Sequence, residues 1–134
     1  MTEPTAPLGV VLRTTPLRES DLLVVLYTDR FGRVSAVARG ARSSRRRFAG
    51  ALSLLVLARF ALTRPRRGEL WSLDGAEIVR TWIDLSTDVV AVAHASYGAE
   101  LIGGLLPAEV PEPEALDRVV GLWDALAAGG PSPA

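Results

Sequence analysis

Apolar and polar positions alternate through the first part of the chain and then change period. Leu8–Thr14 (LGVVLRT) is apolar and β-branched, which predicts a strand. Ser20–Thr28 (SDLLVVLYT) is continuously apolar and predicts a strand buried on both faces, or nearly so. Thr15–Glu19 (TPLRE) supplies the turn between them. Asp29–Gly32 (DRFG) predicts a hairpin connection in which Gly32 is free to take a positive φ. Arg33–Arg39 (RVSAVAR) sets Val34, Ala36 and Ala38 against Arg33, Ser35 and Arg39, a period of two with Val37 as the exception. Leu54–Thr63 (LLVLARFALT) puts Leu54, Val56, Ala58, Phe60 and Leu62 on one strand face. Arg64–Gly68 is a turn, and Glu69–Leu73 with Ala76–Thr81 make a last strand interrupted by a turn at Asp74–Gly75. Residues 1–7, with two prolines and two threonines, predict a loose tail. Five short strands over about 80 residues predict a small barrel, because closure protects the sheet edges.

The period changes to helical at Trp82. Asp84, Ser86 and Thr87 offer capping side chains, and Val89, Val92, Ala93, Ser96, Tyr97, Leu101 and Leu105 follow helical spacing up to Pro107. Gly98, Gly103 and Gly104 weaken that helix, yet they also permit close packing. After the proline-rich link at 107–114, a second helix starts near Pro113 and stops at Gly129–Gly130. Its stripe is Leu116, Val119, Val120, Trp123, Leu126 and Ala127. The fold class is therefore mainly β with C-terminal α: a five-stranded barrel at 1–82, then two helices at 83–134.

Composition adds exclusions. Nearly half of the 134 residues are apolar, enough for a real core. The absence of cysteine excludes disulfides and thiolate metal sites, and one histidine, His94, is too few for zinc. No run approaches the roughly 20 apolar residues of a membrane span. The N-terminus lacks the pattern of a signal peptide, so a cytoplasmic protein is expected.

Charge changes the picture most. Residues 1–80 hold 14 arginines against 7 acids, a charge of +7, while residues 81–134 hold one arginine against 8 acids, a charge of −7. From Arg30 to Arg67 there are 11 arginines and no acid. Arg39, Arg42, Arg45, Arg46 and Arg47 crowd one loop, and Arg64, Arg66 and Arg67 crowd another. Close guanidiniums repel one another until a polyanion neutralises them, and each can fork two hydrogen bonds onto a phosphate. A solvated charge run without function is the plain alternative, weighed down by the second cluster on the same barrel.

Aromatic residues near the arginines could stack on bases. Tyr27, Phe60, Trp71 and Trp82 read as core; Phe31 and Phe48, at loop positions, stay open between core and platform. Catalysis is not expected. His94 has no nucleophile or second imidazole in support, and it reads as structural. Asp84 and Asp88 are explained by the helix start. GARSSRRRFAG has neither the spacing nor the lysine of a phosphate loop.

Residues 9–52, GVVLRTTPLRESDLLVVLYTDRFGRVSAVARGARSSRRRFAGAL, resemble the N-terminal region of the RecO family of bacterial recombination mediators. VLRT, RESD, LYTDRFGRVSAVARGAR, RRRFAGAL and GELW carry the resemblance, and AELIGGLLP resembles the start of the family's helical domain; together they span residues 8–107. The resemblance implies an oligonucleotide-binding (OB) fold followed by helices. It implies binding of single- and double-stranded DNA, strand annealing, and work with RecR, RecF and single-strand DNA-binding protein, without a cofactor. It places the basic surface on Arg33, Arg39, Arg42, Arg45, Arg46 and Arg47, and further on Arg64, Arg66 and Arg67. Phe48 is the candidate stacking residue beside them. Family members run well beyond 200 residues, often with a zinc-binding segment, so 83–134 is expected to be a partial helical domain.

Two functions follow. The first is a non-enzymatic DNA-binding and strand-annealing module of recombinational repair, nucleoid-associated in the cytoplasm, with loop arginines on the phosphate backbone. The alternative is a protein adaptor whose barrel docks a partner such as RecR, its arginines meeting acidic protein. Leu116, Val119 and Trp123 are expected to be exposed as a docking patch in that case.

Overall fold

In the computed structural model the described residues are 4–43, 47–48, 50–85, 88–105, 107–112 and 114–128. The strands are β1 (Pro4–Thr5), β2 (Leu8–Leu17), β3 (Asp21–Thr28), β4 (Gly32–Ala38), β5 (Val56–Thr63) and β6 (Trp71–Thr81). A short 3-10 turn at Ile83–Leu85 leads to α1 (Val89–Leu105) and α2 (Ala115–Ala127). Strands β2, β3 and β4 form an antiparallel meander, β5 pairs with β2 and with β6, and β6 closes the ring by a parallel pairing with β4. The result is the expected five-stranded OB barrel plus one short edge strand. That edge strand is β1, where a loose tail is expected: Pro4 and Thr5 pair with Thr63 and Leu62.

Two expected turns prove to be strand. Thr15, Pro16 and Leu17 continue β2 opposite Leu23, Leu22 and Asp21, so the turn falls at 18–20. Pro16 is tolerated there because β2 meets β5 only at Leu8–Val10, leaving that side of the strand without a ladder to disrupt. Asp74–Gly75 is a bulge inside β6, with Ala61 opposite Gly75, Leu62 opposite Leu73, and Asp74 the extra residue. Asp74 is held there by the Thr63 and Ser72 hydroxyls, each donating to it at 2.9 Å.

Two apolar clusters hold the molecule together. One fills the barrel with Val24, Leu26, Val34, Ala36, Ala38, Phe60, Leu62, Trp71 and Leu73, the inward half of the alternation. The other joins the outer wall of the barrel (Val10, Tyr27, Leu57, Trp82) to Ala91, Ala95 and Ala99 of α1 and Leu116, Val119 and Trp123 of α2. Burial on both faces is why the β3 run reads as continuously apolar.

The helices differ from expectation in one respect each. The α1 residues that follow helical spacing are largely on the outside: Val89, Tyr97, Leu101 and Leu105 are exposed, as is Val90, and the buried face is the alanine row. Gly98 lies so close to Leu122 of α2 that an added Cβ would collide with it, which is the close packing the glycines allow. The α2 stripe packs inward through most of its length, Ala127 being exposed, which corrects the expected docking patch: Leu116, Val119 and Trp123 are all buried. Helix α2 begins at Ala115; Pro113, Ser86 and Thr87 lie outside the described residues. The start of α1 is capped by Asp88, whose Oδ1 accepts from the Ala91 N–H at 3.1 Å. Among the described residues no helix is long and apolar enough to cross a membrane.

Candidate nucleic-acid interface

The loop after β4 is positioned by an acid from the other end of the meander. Asp21 Oδ1 accepts from the Gly40 N–H at 2.8 Å, and its Oδ2 accepts from Arg18 Nη1 at 3.0 Å. The Gly40 bond first, then Arg18 with desolvation opposing, holds the Asp21 carboxyl below the usual carboxylate range. Gly40 turns the chain at φ 69, and the Arg42 N–H then donates to the Ser20 carbonyl at 2.9 Å. The arginines therefore leave the barrel from a fixed stem.

Arg39, Arg42 and Arg47 are exposed. Arg39 Nη1 donates to Ser72 Oγ at 3.4 Å, and the Arg39 carbonyl accepts from the Arg47 guanidinium. The Arg47 guanidinium also lies 5.0 Å above the Phe48 ring, and the Arg47 carbonyl accepts from the Ala76 N–H of β6 at 2.9 Å. Arg45 and Arg46 lie outside the described residues. Arg33 is half-buried on β4.

Phe48 is not a stacking platform. Its side chain is 3 % exposed and belongs to the barrel interior, so it seals the core beneath the loop. Tyr27, Phe60, Trp71 and Trp82 are core, as the sequence indicates. Phe31 is intermediate: it packs against Trp71 with ring centroids 5.0 Å apart, under the guanidiniums of Arg30 at 5.1 Å and Arg64 at 5.4 Å. Its faces serve cations rather than open solvent, and such contacts are worth about 0.5–1 kcal/mol at exposed sites.

Both clusters have a contact at the start of β6. Arg64, exposed, sits 4.6 Å over the Trp71 ring, while Arg39 reaches Ser72, the next residue. Arg66 and Arg67 are exposed in the same β5–β6 turn. So the fold joins Arg47 to Arg39 and seats Arg39 on Ser72, while Arg64 lies over Trp71, the neighbouring residue of β6. Sequence reasoning missed Arg30 as a neighbour of Phe31, and missed Asp21 as the stem of the loop. Asp21 sits inside the RESD segment, whose acid next to the last turn residue is the available signal.

What the surface can do is bind anions. Among the described residues no group of three or more histidines or acids could hold a metal ion. Elsewhere, a cleft of about 310 Å³ between residues 50–56 and β6 is walled by Leu54, Leu55, Val56, Ile78 and Trp82, and offers little to a phosphate. At the barrel–helix joint, the Trp82 indole N–H donates to Asp124 at 2.9 Å, Arg80 pairs with the same carboxylate, and the Trp82 and Trp123 rings meet edge to face at 5.0 Å. The Trp82 bond first, and Arg80 after it, holds the Asp124 carboxyl below its ordinary range. This joint is structural.

Comparison with known proteins covers most of the chain. The family model described as "Recombination protein O N terminal" matches residues 4–82. A DNA repair protein RecO of Anaeromyxobacter sp. (strain K) is 43% identical over 126 residues, covering 94% of this chain and 50% of that protein. The DNA repair protein RecO of Geobacter sulfurreducens is 40% identical over 125 residues, covering 93% of this chain and 51% of that protein. The chain spans about half the length of these curated relatives. It belongs to the RecO family.

Proposed function

We propose that this chain is a non-enzymatic, sequence-independent DNA-binding and strand-annealing module of recombinational DNA repair, acting in the cytoplasm at the nucleoid. Its contacts are to backbone phosphates through Arg39, Arg42, Arg47 and Arg64, with Arg33, Arg45, Arg46, Arg66 and Arg67 adding charge. RecR, RecF and single-strand DNA-binding protein are its proposed protein partners. The observation that carries this reading is a pair of exposed arginine clusters anchored on β6, Arg64 over the Trp71 ring and Arg39 on Ser72, with no acid between positions 30 and 67 of the sequence. The relatives' printed description as DNA repair proteins supports it.

The test is an anisotropy titration with labelled single-stranded DNA at several salt concentrations. Four phosphate contacts give a slope of log K against log salt of about −2.8 on a single strand and about −3.6 on a duplex, steeper if the further arginines also make contact. Replacing Arg39 and Arg64 together by Ala weakens binding about equally for all sequences and flattens the slope. A salt-insensitive affinity, or no binding near 50 mM salt, counts against the reading.

A second reading, docking of a protein such as RecR, has its own observation. Val89, Val90, Tyr97, Leu101 and Leu105 leave α1 with an exposed apolar face. A RecR pull-down that survives nuclease treatment and the double arginine replacement favours it.

A further inference from the structure

The link between the two helices does more than connect them. Residues 107–112 cross the β3–β4 hairpin, and the crossing is seated by uncharged contacts. The Glu109 N–H donates to the Arg33 carbonyl at 2.8 Å, and Ala108 forms a parallel bridge with Arg33. The Glu112 N–H donates to the Tyr27 hydroxyl at 3.1 Å. Gly32, at φ 68, leaves room for the passing backbone: a Cβ there would lie 2.5 Å from the Val110 carbonyl oxygen. Glu109 itself is at φ 57, a conformation that residues with a side chain rarely adopt. The strap is therefore held by the barrel at a position its local backbone does not favour.

The consequence is electrostatic. The strap sets the Glu109 carboxylate 3.7 Å from Arg64 Nη1. Arg64 is the arginine that rests on Trp71 and Phe31, so its guanidinium is already oriented from below. The Nη1 it holds at ion-pair distance from Glu109 is a donor that a phosphate would also use. We propose that Glu109 is an internal competitor for the polyanion: in the free protein its carboxylate occupies the place at Arg64 that a DNA phosphate takes in the complex. This rests on the DNA-binding reading above and deepens it by assigning one phosphate subsite and its resident occupant. Because no bond of the seat uses the Glu109 side chain, removing its charge does not remove the strap, and the two can be tested apart.

The experiment compares the wild-type chain with Glu109→Gln and with Asp117→Asn in the same titration with labelled single-stranded DNA. Asp117 is exposed in the first turn of α2, so the control makes an equal change of net charge away from Arg64. The expected result is that Glu109→Gln binds about 1.5- to 5-fold tighter at low salt, the range an exposed ion pair can withhold. Its salt slope steepens by about 0.7, one more phosphate contact on a single strand. Asp117→Asn changes affinity much less. In an Arg64→Ala background, Glu109→Gln has no further effect, because the competitor has lost its object. If the wild type binds in a salt-dependent way and Glu109→Gln is indistinguishable from it, the competitor is overturned while the DNA-binding reading stands. The competitor is overturned in the same way if Asp117→Asn matches Glu109→Gln, or if the gain persists without Arg64. If neither the wild type nor Glu109→Gln binds, both readings fall together.

Discussion

The two helices cover one wall of the barrel with opposite kinds of residue. Helix α2 turns Leu116, Val119 and Trp123 inward and leaves Asp117 and Arg118 outside. Helix α1 turns Ala91, Ala95 and Ala99 inward and leaves Val89, Val90, Tyr97, Leu101 and Leu105 exposed. The reason is volume. Trp123 fills the space between barrel and helices, and its indole N–H donates to the Ala95 carbonyl at 3.5 Å. A large side chain facing it from α1 would have nowhere to go. Which face of a helix is buried is decided by what already stands opposite, and hydropathy decides only when one face is clearly richer.

That contrast can be broken in order of effect. Trp123→Ala empties the centre of the outer cluster and is expected to lower stability by about 3–5 kcal/mol in a denaturant titration. A cost near zero would mean the helices do not depend on it. Ala95→Leu, which adds apolar bulk to the crowded side of α1, is expected to cost about 1–3 kcal/mol despite being more hydrophobic. A stabilisation would show that the alanine row is not sterically full. Trp82→Phe removes the first support of the Asp124 carboxylate, and its effect should be smaller and dependent on pH. A carboxyl whose folded-state pKa is depressed adds stability above its unfolded value and loses it as pH falls through the folded value. The variant should therefore differ most from wild type at neutral pH and converge with it in acid, seen as melting temperature against pH. Tyr97→Ser, on the exposed side of α1, should stay within about 0.5 kcal/mol. A larger loss would mean that the outer face of α1 supports the fold after all.

The barrel was readable because its strands alternate, and because β3, buried on both sides, carries apolar residues at both. The bulge at Asp74 was not readable: Asp-Gly signals a hairpin turn when taken alone, and only the ladder with β5 shows that the strand continues through it. Helix α1 misled for a different reason. It is apolar around most of its circumference, so several stripes fit the period, and the larger residues do not mark the buried one. The stripe of α2, interrupted by Asp117, Arg118 and Asp124, had one solution. In the candidate site, the arginine clusters are visible as runs, while their separate contacts with Ser72 and Trp71 depend on strand pairing that no local pattern encodes. Phe48 read as a loop residue because it follows Arg47 directly, yet the chain dives into the barrel at that step. Glu109 carried no signal, since its partner lies 45 positions earlier in the sequence.

The ring of strands is closed by an uneven set of joins. Seven residue pairs tie β3 to β4, and only two, Ala36–Trp71 and Val37–Ser72, tie β4 to β6. In any ring the shortest join is the cheapest to part, so the amide protons there are expected to exchange with solvent ahead of those in the meander. Arg39 and Arg64 stand at that same join, one on Ser72 and one on Trp71. A strand of nucleic acid bridging these two arginines would clamp the join shut from outside. Slowed deuterium uptake at Trp71 and Ser72 would then report occupancy of the surface, and the barrel would become stiffer where it is most easily opened.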